Sequence, residues 1–177
     1  MRKSLRWLVR TAMTLALLMA VQFVTGSGNQ LLTGSCVNLI LAVSACLLGL
    51  SGAAVVAAVS PFLAYLAGIT PNVLLVPGIA LGNLAYVTVI ALLYGLLKAK
   101  HPNPYLQTVP AMIVGAVCKF LVMYLVVVRM LLPAAVPSPQ KLETMSYAMG
   151  LLQLFTALIG GGVAAMIAPL LKKAVKD

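Results

Sequence analysis

The sequence predicts an all-α integral membrane protein: a single domain over residues 1–177, built as a compact bundle of six transmembrane helices with both termini cytoplasmic. Three observations lead there. First, 63% of the residues are hydrophobic and only 8% are charged, whereas a soluble domain carries about 25% charged residues, so the bilayer must solvate most of the chain. Second, the apolar residues fall into runs long enough to cross about 30 Å of hydrocarbon. Third, the basic residues flank those runs: Arg2, Lys3, Arg6 and Arg10 precede the first, Lys98 and Lys100 sit in a central loop, and Lys172, Lys173 and Lys176 follow the last. That placement is a topology signal. It does not read as a nucleic-acid surface, which the hydropathy excludes despite a net charge of +10.

The first apolar run extends from about Trp7 to Thr25. It resembles a signal peptide in its basic start, but it ends in Phe23-Val24-Thr25-Gly26-Ser27 with no A-x-A site, so it is expected to stay as helix one. Polar residues 26–30 break the chain. The next apolar stretch, from about Cys36 to Ile69, is too long for one crossing and must turn at Gly49-Leu50-Ser51-Gly52, giving two short helices, the second bent at Pro61. Helix four begins near Pro77 and ends before Lys98, helix five covers about Val109–Leu132, and helix six about Met145–Leu171. Basic flanks at both ends require an even number of crossings, which six satisfies. The loops Gly26–Ser35, Thr70–Val76 and Pro133–Thr144 then face outward. Gly78, Gly82, Gly160, Gly161, Gly162, Ala164 and Ala165 allow close helix approach.

Polar side chains inside a membrane are costly, so their distribution carries information. Gln22, Asn38, Asn83 and Gln153 all fall in the outer half of their helices, with Tyr86 and Tyr147 nearby. An outward-facing polar pocket accounts for the asymmetry; interhelical hydrogen bonding is the alternative. Lys119 sits near the middle of helix five, where an unpaired ammonium costs at least about 2.5 to 3.5 kcal/mol. The only acids are Glu143, in an outer loop, and Asp177, at the C-terminus. A ligand could supply the counter-charge, as could carbonyls at a broken helix or a partner subunit. Arg129 lies ten residues on, along the stripe Lys119, Val122, Val126, Arg129, and either lines the same cavity or snorkels to water. Lys119 and Arg129 together point to a solute with a carboxylate or phosphate.

Enzymatic constellations are missing. His101 is the one histidine and lies in the basic loop; Cys36, Cys46 and Cys118 have no metal or disulfide spacing. No cofactor and no metal is expected, nor any catalysis by the chain itself. The shortage of Asp, Glu and His also argues against a proton-driven carrier acting alone, so energy would come from elsewhere.

Ala12, Ala16 and Ala20 recur every four residues on helix one and leave a flat face on which another helix could dock, or which could pack within the bundle. With the size, the six helices, the short second and third helices, the outer-half polar residues and the stretch Leu32-Thr33-Gly34-Ser35-Cys36-Val37-Asn38-Leu39, the whole chain resembles the substrate-binding S component of an energy-coupling factor (ECF) transporter. The resemblance implies a multi-pass protein of the bacterial plasma membrane that captures a small, vitamin-like solute from outside. It also implies inward delivery, by toppling of the subunit, with a transmembrane coupling protein that engages Ala12, Ala16 and Ala20 and with two cytoplasmic ATPases. On this reading the substrate-binding residues are Asn38, Asn83, Lys119, Gln153, Arg129, Tyr86 and Tyr147, and outer loops with Gly26, Gly28, Asn29, Gln30 and Gly34 close over the solute. The tryptophan-rich pocket of thiamine binders is missing, since Trp7 is the only tryptophan. The alternative is a membrane scaffold or assembly subunit that binds no solute and whose Lys119 pairs with a partner's acid.

Overall fold

The computed structural model describes residues 3–26, 29–70 and 72–176, and the side chains of all of these except residues 3 and 173–176. Gly28 of the expected closing loop, and the flanking cations Arg2, Lys3, Lys173 and Lys176, therefore lie outside the described residues or side chains. Within the described part the helices are α1 (Lys3–Thr25), α2 (Gln30–Leu47), α3 (Gly49–Leu66), α4 (Val76–Lys100), α5 (Pro104–Val122), α6 (Leu132–Ala135), α7 (Pro139–Met149) and α8 (Leu151–Lys176). A 3-10 turn, Val73–Leu75, leads into α4, and a π-helical stretch, Met123–Leu131, joins α5 to α6. Six segments are long and apolar enough to span a bilayer: Ser4–Thr25, Gln30–Leu47, Gly49–Leu66, Val73–Lys100, Pro104–Ala135 and Pro139–Lys172. The all-α, six-span architecture expected from hydropathy is the one found.

Several boundaries differ from expectation, each for a local reason. α2 starts at Gln30, not near Cys36, because the Asn29 side chain accepts from the Leu31 N–H at 2.8 Å and caps the helix. Gln30 and Gly34 thus belong to a helix and not to a loop. Leu48 alone separates α2 from α3, and Gly49, whose φ of +72° suits glycine, opens α3, so Leu50, Ser51 and Gly52 of the expected turn already lie in that helix. α5 begins at Pro104, capped by Asn103 at 2.9 Å from the Tyr105 N–H, rather than near Val109. The segment Pro133–Thr144, expected as a loop, contains most of α6 and the first half of α7, and Gly150 separates α7 from α8, so helix six does not start at Met145. Charged and polar residues mask α7 in a hydropathy reading. Its Leu142, Met145 and Met149 nonetheless pack on the buried cluster of Leu75, Met123, Val127, Leu132 and Val136.

Neighbouring helices meet at alternate ends. At the end carrying Lys98 and Lys172, Trp7 Nε1 donates to Ser51 Oγ at 3.2 Å and Lys172 Nζ donates to the Tyr94 hydroxyl at 2.8 Å. At the opposite end Thr33 Oγ1 donates to the Thr25 carbonyl at 2.8 Å, and Asn72 Nδ2 donates to the Ala135 carbonyl at 3.2 Å. α3 closes at that end with Gly68 at φ +74°: Ile69 N–H reaches the Ala64 carbonyl and Gly68 N–H the Tyr65 carbonyl, a Schellman cap. The main core, with Leu18, Leu41, Val56, Tyr86, Val87, Ile90, Ala116 and Ala157 all fully buried, draws on α1 to α5 and α8. α1 packs on α2 and α3 and is the least buried of the six spans.

Candidate functional site

The site is assembled by two close helix crossings. Gly160 of α8 lies against the Ser35 carbonyl and Asn38 of α2, where an added methyl would overlap backbone. Gly82 of α4 leaves room for Met123 and for the stem of Lys119 on α5. With these contacts in place, Asn38, Asn83, Lys119 and Tyr86 converge from α2, α4 and α5 on one point inside the bundle.

Lys119 is 2% exposed. Its Nζ donates to Asn38 Oδ1 at 2.7 Å and to Asn83 Oδ1 at 2.8 Å, and lies 5.6 Å from the centroid of the Tyr86 ring. Asn38 Nδ2 in turn donates to Thr156 Oγ1 at 3.1 Å, and that hydroxyl donates to the Gln153 carbonyl at 3.1 Å. The Tyr86 hydroxyl donates to the Ala157 carbonyl at 3.2 Å. The Asn38 amide is therefore oriented: a chain of bonds from α8 turns its oxygen toward the ammonium. An ammonium has three donors. Two go to neutral acceptors and the π face of Tyr86 adds a weaker attraction, so the positive charge is solvated without being neutralised. Glu143, on α7, is the only carboxylate among the described residues.

Two features of this cluster escape a reading of the sequence alone. Thr156, the link between Asn38 and α8, is fully buried one turn beyond Gln153; its spacing of three from Gln153 was the available signal. Ser35, on the same face of α2 as Asn38, carries a buried hydroxyl oxygen with no hydrogen-bond partner, and a short polar residue three positions before an intramembrane asparagine was its only mark.

The other predicted residues lie elsewhere. Arg129 is exposed and stands over the Tyr124 ring at 5.4 Å. It lines an open cleft of about 680 Å³ together with Phe120, Tyr124, Ser146, Tyr147 and Leu151, and Phe120 and Tyr124 stack at 5.9 Å. Lys119 is not among the lining residues. The stripe Lys119, Val122, Val126, Arg129 assumed an unbroken α-helix. The π-helical stretch changes the phase: after Lys119 the fully buried positions are Met123, Val127 and Leu132, spaced four, four and five apart. Gln153 contributes its backbone carbonyl to the cluster. Gln22 lies apart on α1, its side-chain oxygen buried without a partner. The predicted outward-open polar pocket is thus divided, with its deep groups closed on one another and its rim groups in the cleft.

Ala12, Ala16 and Ala20 are all exposed along α1, while Thr11 and Leu18 face the bundle. No group of three or more His, Cys, Asp or Glu side chains able to hold a metal occurs among the described residues.

Neither a curated protein nor a solved structure matches this chain. A family model does, over residues 10–172 of the 177, and its description is ECF transporter, substrate-specific component. The match takes in all of α2 to α7 and most of α1 and α8, including every residue of the Lys119 cluster and of the cleft. The chain is therefore a multi-pass protein of the cell membrane and belongs to the family of substrate-specific components of ECF transporters.

Proposed function

We propose that this substrate-specific component captures a small, vitamin-like anionic solute from outside and delivers it inward with a transmembrane coupling protein and two cytoplasmic ATPases, its own part being binding and not catalysis. The observation that carries the reading is Lys119: a buried ammonium held by two neutral amide oxygens, with no carboxylate beside it among the described residues. Folding retains an expensive charge at mid-bilayer, and intramembrane ionisable groups of this kind mark solute pathways. An anionic group from a solute would supply the missing charge, and the unpartnered Ser35 hydroxyl offers it a further hydrogen bond.

The cleft with Arg129 and Tyr147 is the entry in this reading. Arg129 attracts the anion, and the stacked Phe120 and Tyr124 rings offer an apolar wall for the rest of the solute. The solute then displaces the amides on Lys119. Both termini are cytoplasmic by the distribution of basic residues, which puts the cleft outside. The exposed Ala12, Ala16 and Ala20 face is flat enough for a coupling-protein helix to approach closely.

Native mass spectrometry of the protein purified from its host in mild detergent tests this directly. The expected result is a retained small acid together with a coupling protein and ATPase subunits. No retained solute and a different stoichiometric membrane protein would replace this reading with that of a scaffold.

A further inference from the structure

A second basic constellation lies at the other end of the bundle, away from the Lys119 cluster and the Arg129 cleft. A cleft of about 190 Å³ between α4, α5 and α8 is lined by Tyr94, Lys98, Pro104, Gln107, Thr108 and Lys172. Lys172 is held in place: its Nζ donates to the Tyr94 hydroxyl at 2.8 Å and lies 4.7 Å from the centroid of the same ring. Lys98 follows Tyr94 by one helical turn on α4, so both ammonium groups border one small space. The floor is fixed as well. Gln107 Nε2 donates to the His101 carbonyl at 2.7 Å, and Thr108 Oγ1 reaches the Pro104 carbonyl at 3.1 Å. No carboxylate among the described residues is near, since Glu143 is on α7 at the opposite end, while Asp177 lies outside them.

We propose that this cleft binds the phosphodiester of an anionic membrane lipid. Two like charges converge on a pocket that would hold a phosphate and part of a headgroup, and an anion there relieves their repulsion. Met166, exposed and one helical turn before the lining residue Pro169 on α8, gives an acyl chain an apolar surface to lie along. A free phosphate would leave that surface unused. This inference stands independently of which solute the Lys119 cluster takes.

The test uses the full-length protein in mixed micelles of equal phosphatidylglycerol and phosphatidylcholine, with retained lipid read by native mass spectrometry. At about fivefold per lysine, the wild type is expected to prefer phosphatidylglycerol by about 25-fold. Combining Lys98→Gln with Lys172→Gln should bring the two lipids near parity, whereas Lys100→Gln, outside the cleft, should keep the preference. Should the double variant fail to fold in phosphatidylcholine alone, Lys98→Gln by itself carries the test, with an expected drop of about fivefold. Parity in the wild type, or a preference that survives loss of these lysines, overturns the proposal. Stoichiometric adducts of inorganic phosphate in pure phosphatidylcholine micelles would assign the cleft to free phosphate and overturn the lipid source. An unchanged lipid preference combined with loss of a copurifying coupling protein would make it a protein contact instead.

Discussion

Replacing Lys119 by methionine separates a structural from a functional role for the buried ammonium. Methionine keeps the unbranched stem that passes Gly82 and removes only the charge and its donors. In the unfolded chain within the membrane, Lys119 can snorkel to the interface, so folding bears the cost of burying the charge, about 2.5 to 3.5 kcal/mol on insertion scales. Against this stand the bonds to Asn38 and Asn83 at 2.7 and 2.8 Å. Measured intramembrane hydrogen bonds average about 0.6 kcal/mol and reach about 1.7 kcal/mol, so two strong ones return up to about 3.4 kcal/mol. The two sides nearly cancel. Lys119→Met is therefore expected to change stability by no more than about 1 kcal/mol, while lowering affinity for the retained solute at least about 100-fold, as loss of a buried charge pair requires. Asn38→Ala has the opposite balance: it leaves the ammonium with one amide acceptor and breaks the link to Thr156, and should cost about 2 kcal/mol. Reversible unfolding in mixed micelles gives the stabilities, and calorimetry with the identified solute gives the affinities. A Lys119→Met protein destabilised by 3 kcal/mol or more (about 3, set against the cancellation above), or one that binds solute as tightly as wild type, would refute the argument.

Other expected outcomes follow from the packing and the surfaces. Gly160→Ala forces a methyl into the Ser35 carbonyl and should destabilise the fold by about 2 to 3 kcal/mol in the same unfolding assay, whereas Gly162→Ala, which points into open space, should be near neutral. Gly68→Ala meets no atoms within 4 Å but must hold φ +74°, so a loss of about 1 to 2 kcal/mol with unchanged solute affinity is expected. Arg129→Ala should slow capture of the solute about 10-fold at low ionic strength, and added salt should shrink the difference; a salt-independent effect would count against electrostatic attraction by this residue. Ala16→Trp on the exposed face of α1 should abolish uptake and copurification of the coupling protein while sparing solute binding, and equal loss of folding would mark the face as internal packing.

Hydropathy and charge made the architecture legible, because lipid imposes its constraint residue by residue: an uncharged run of sufficient length crosses, and a cluster of lysines stops at the surface. The same rule singled out Lys119, Asn38 and Asn83, since each is costly wherever in the bundle it points. α7 was hidden because its polar residues give no transmembrane signal, and its reason for being helical is the apolar cluster of Leu75, Met123, Val127 and Leu132 beneath it.

What the sequence by itself determined is therefore the solvent of the chain, its six crossings, its family and the inventory of polar side chains that need an explanation. The tertiary structure decided how those side chains are divided. The π-helical stretch turns Arg129 away from the face that buries Lys119, and the Gly160 crossing brings Thr156 to Asn38 so that the Asn38 oxygen points at the ammonium, which the Asn83 oxygen meets from α4. Such pairings depend on helix phase and on approach distances of an ångström or less, which arise from packing between residues as much as 118 positions apart and which no local pattern in the chain encodes.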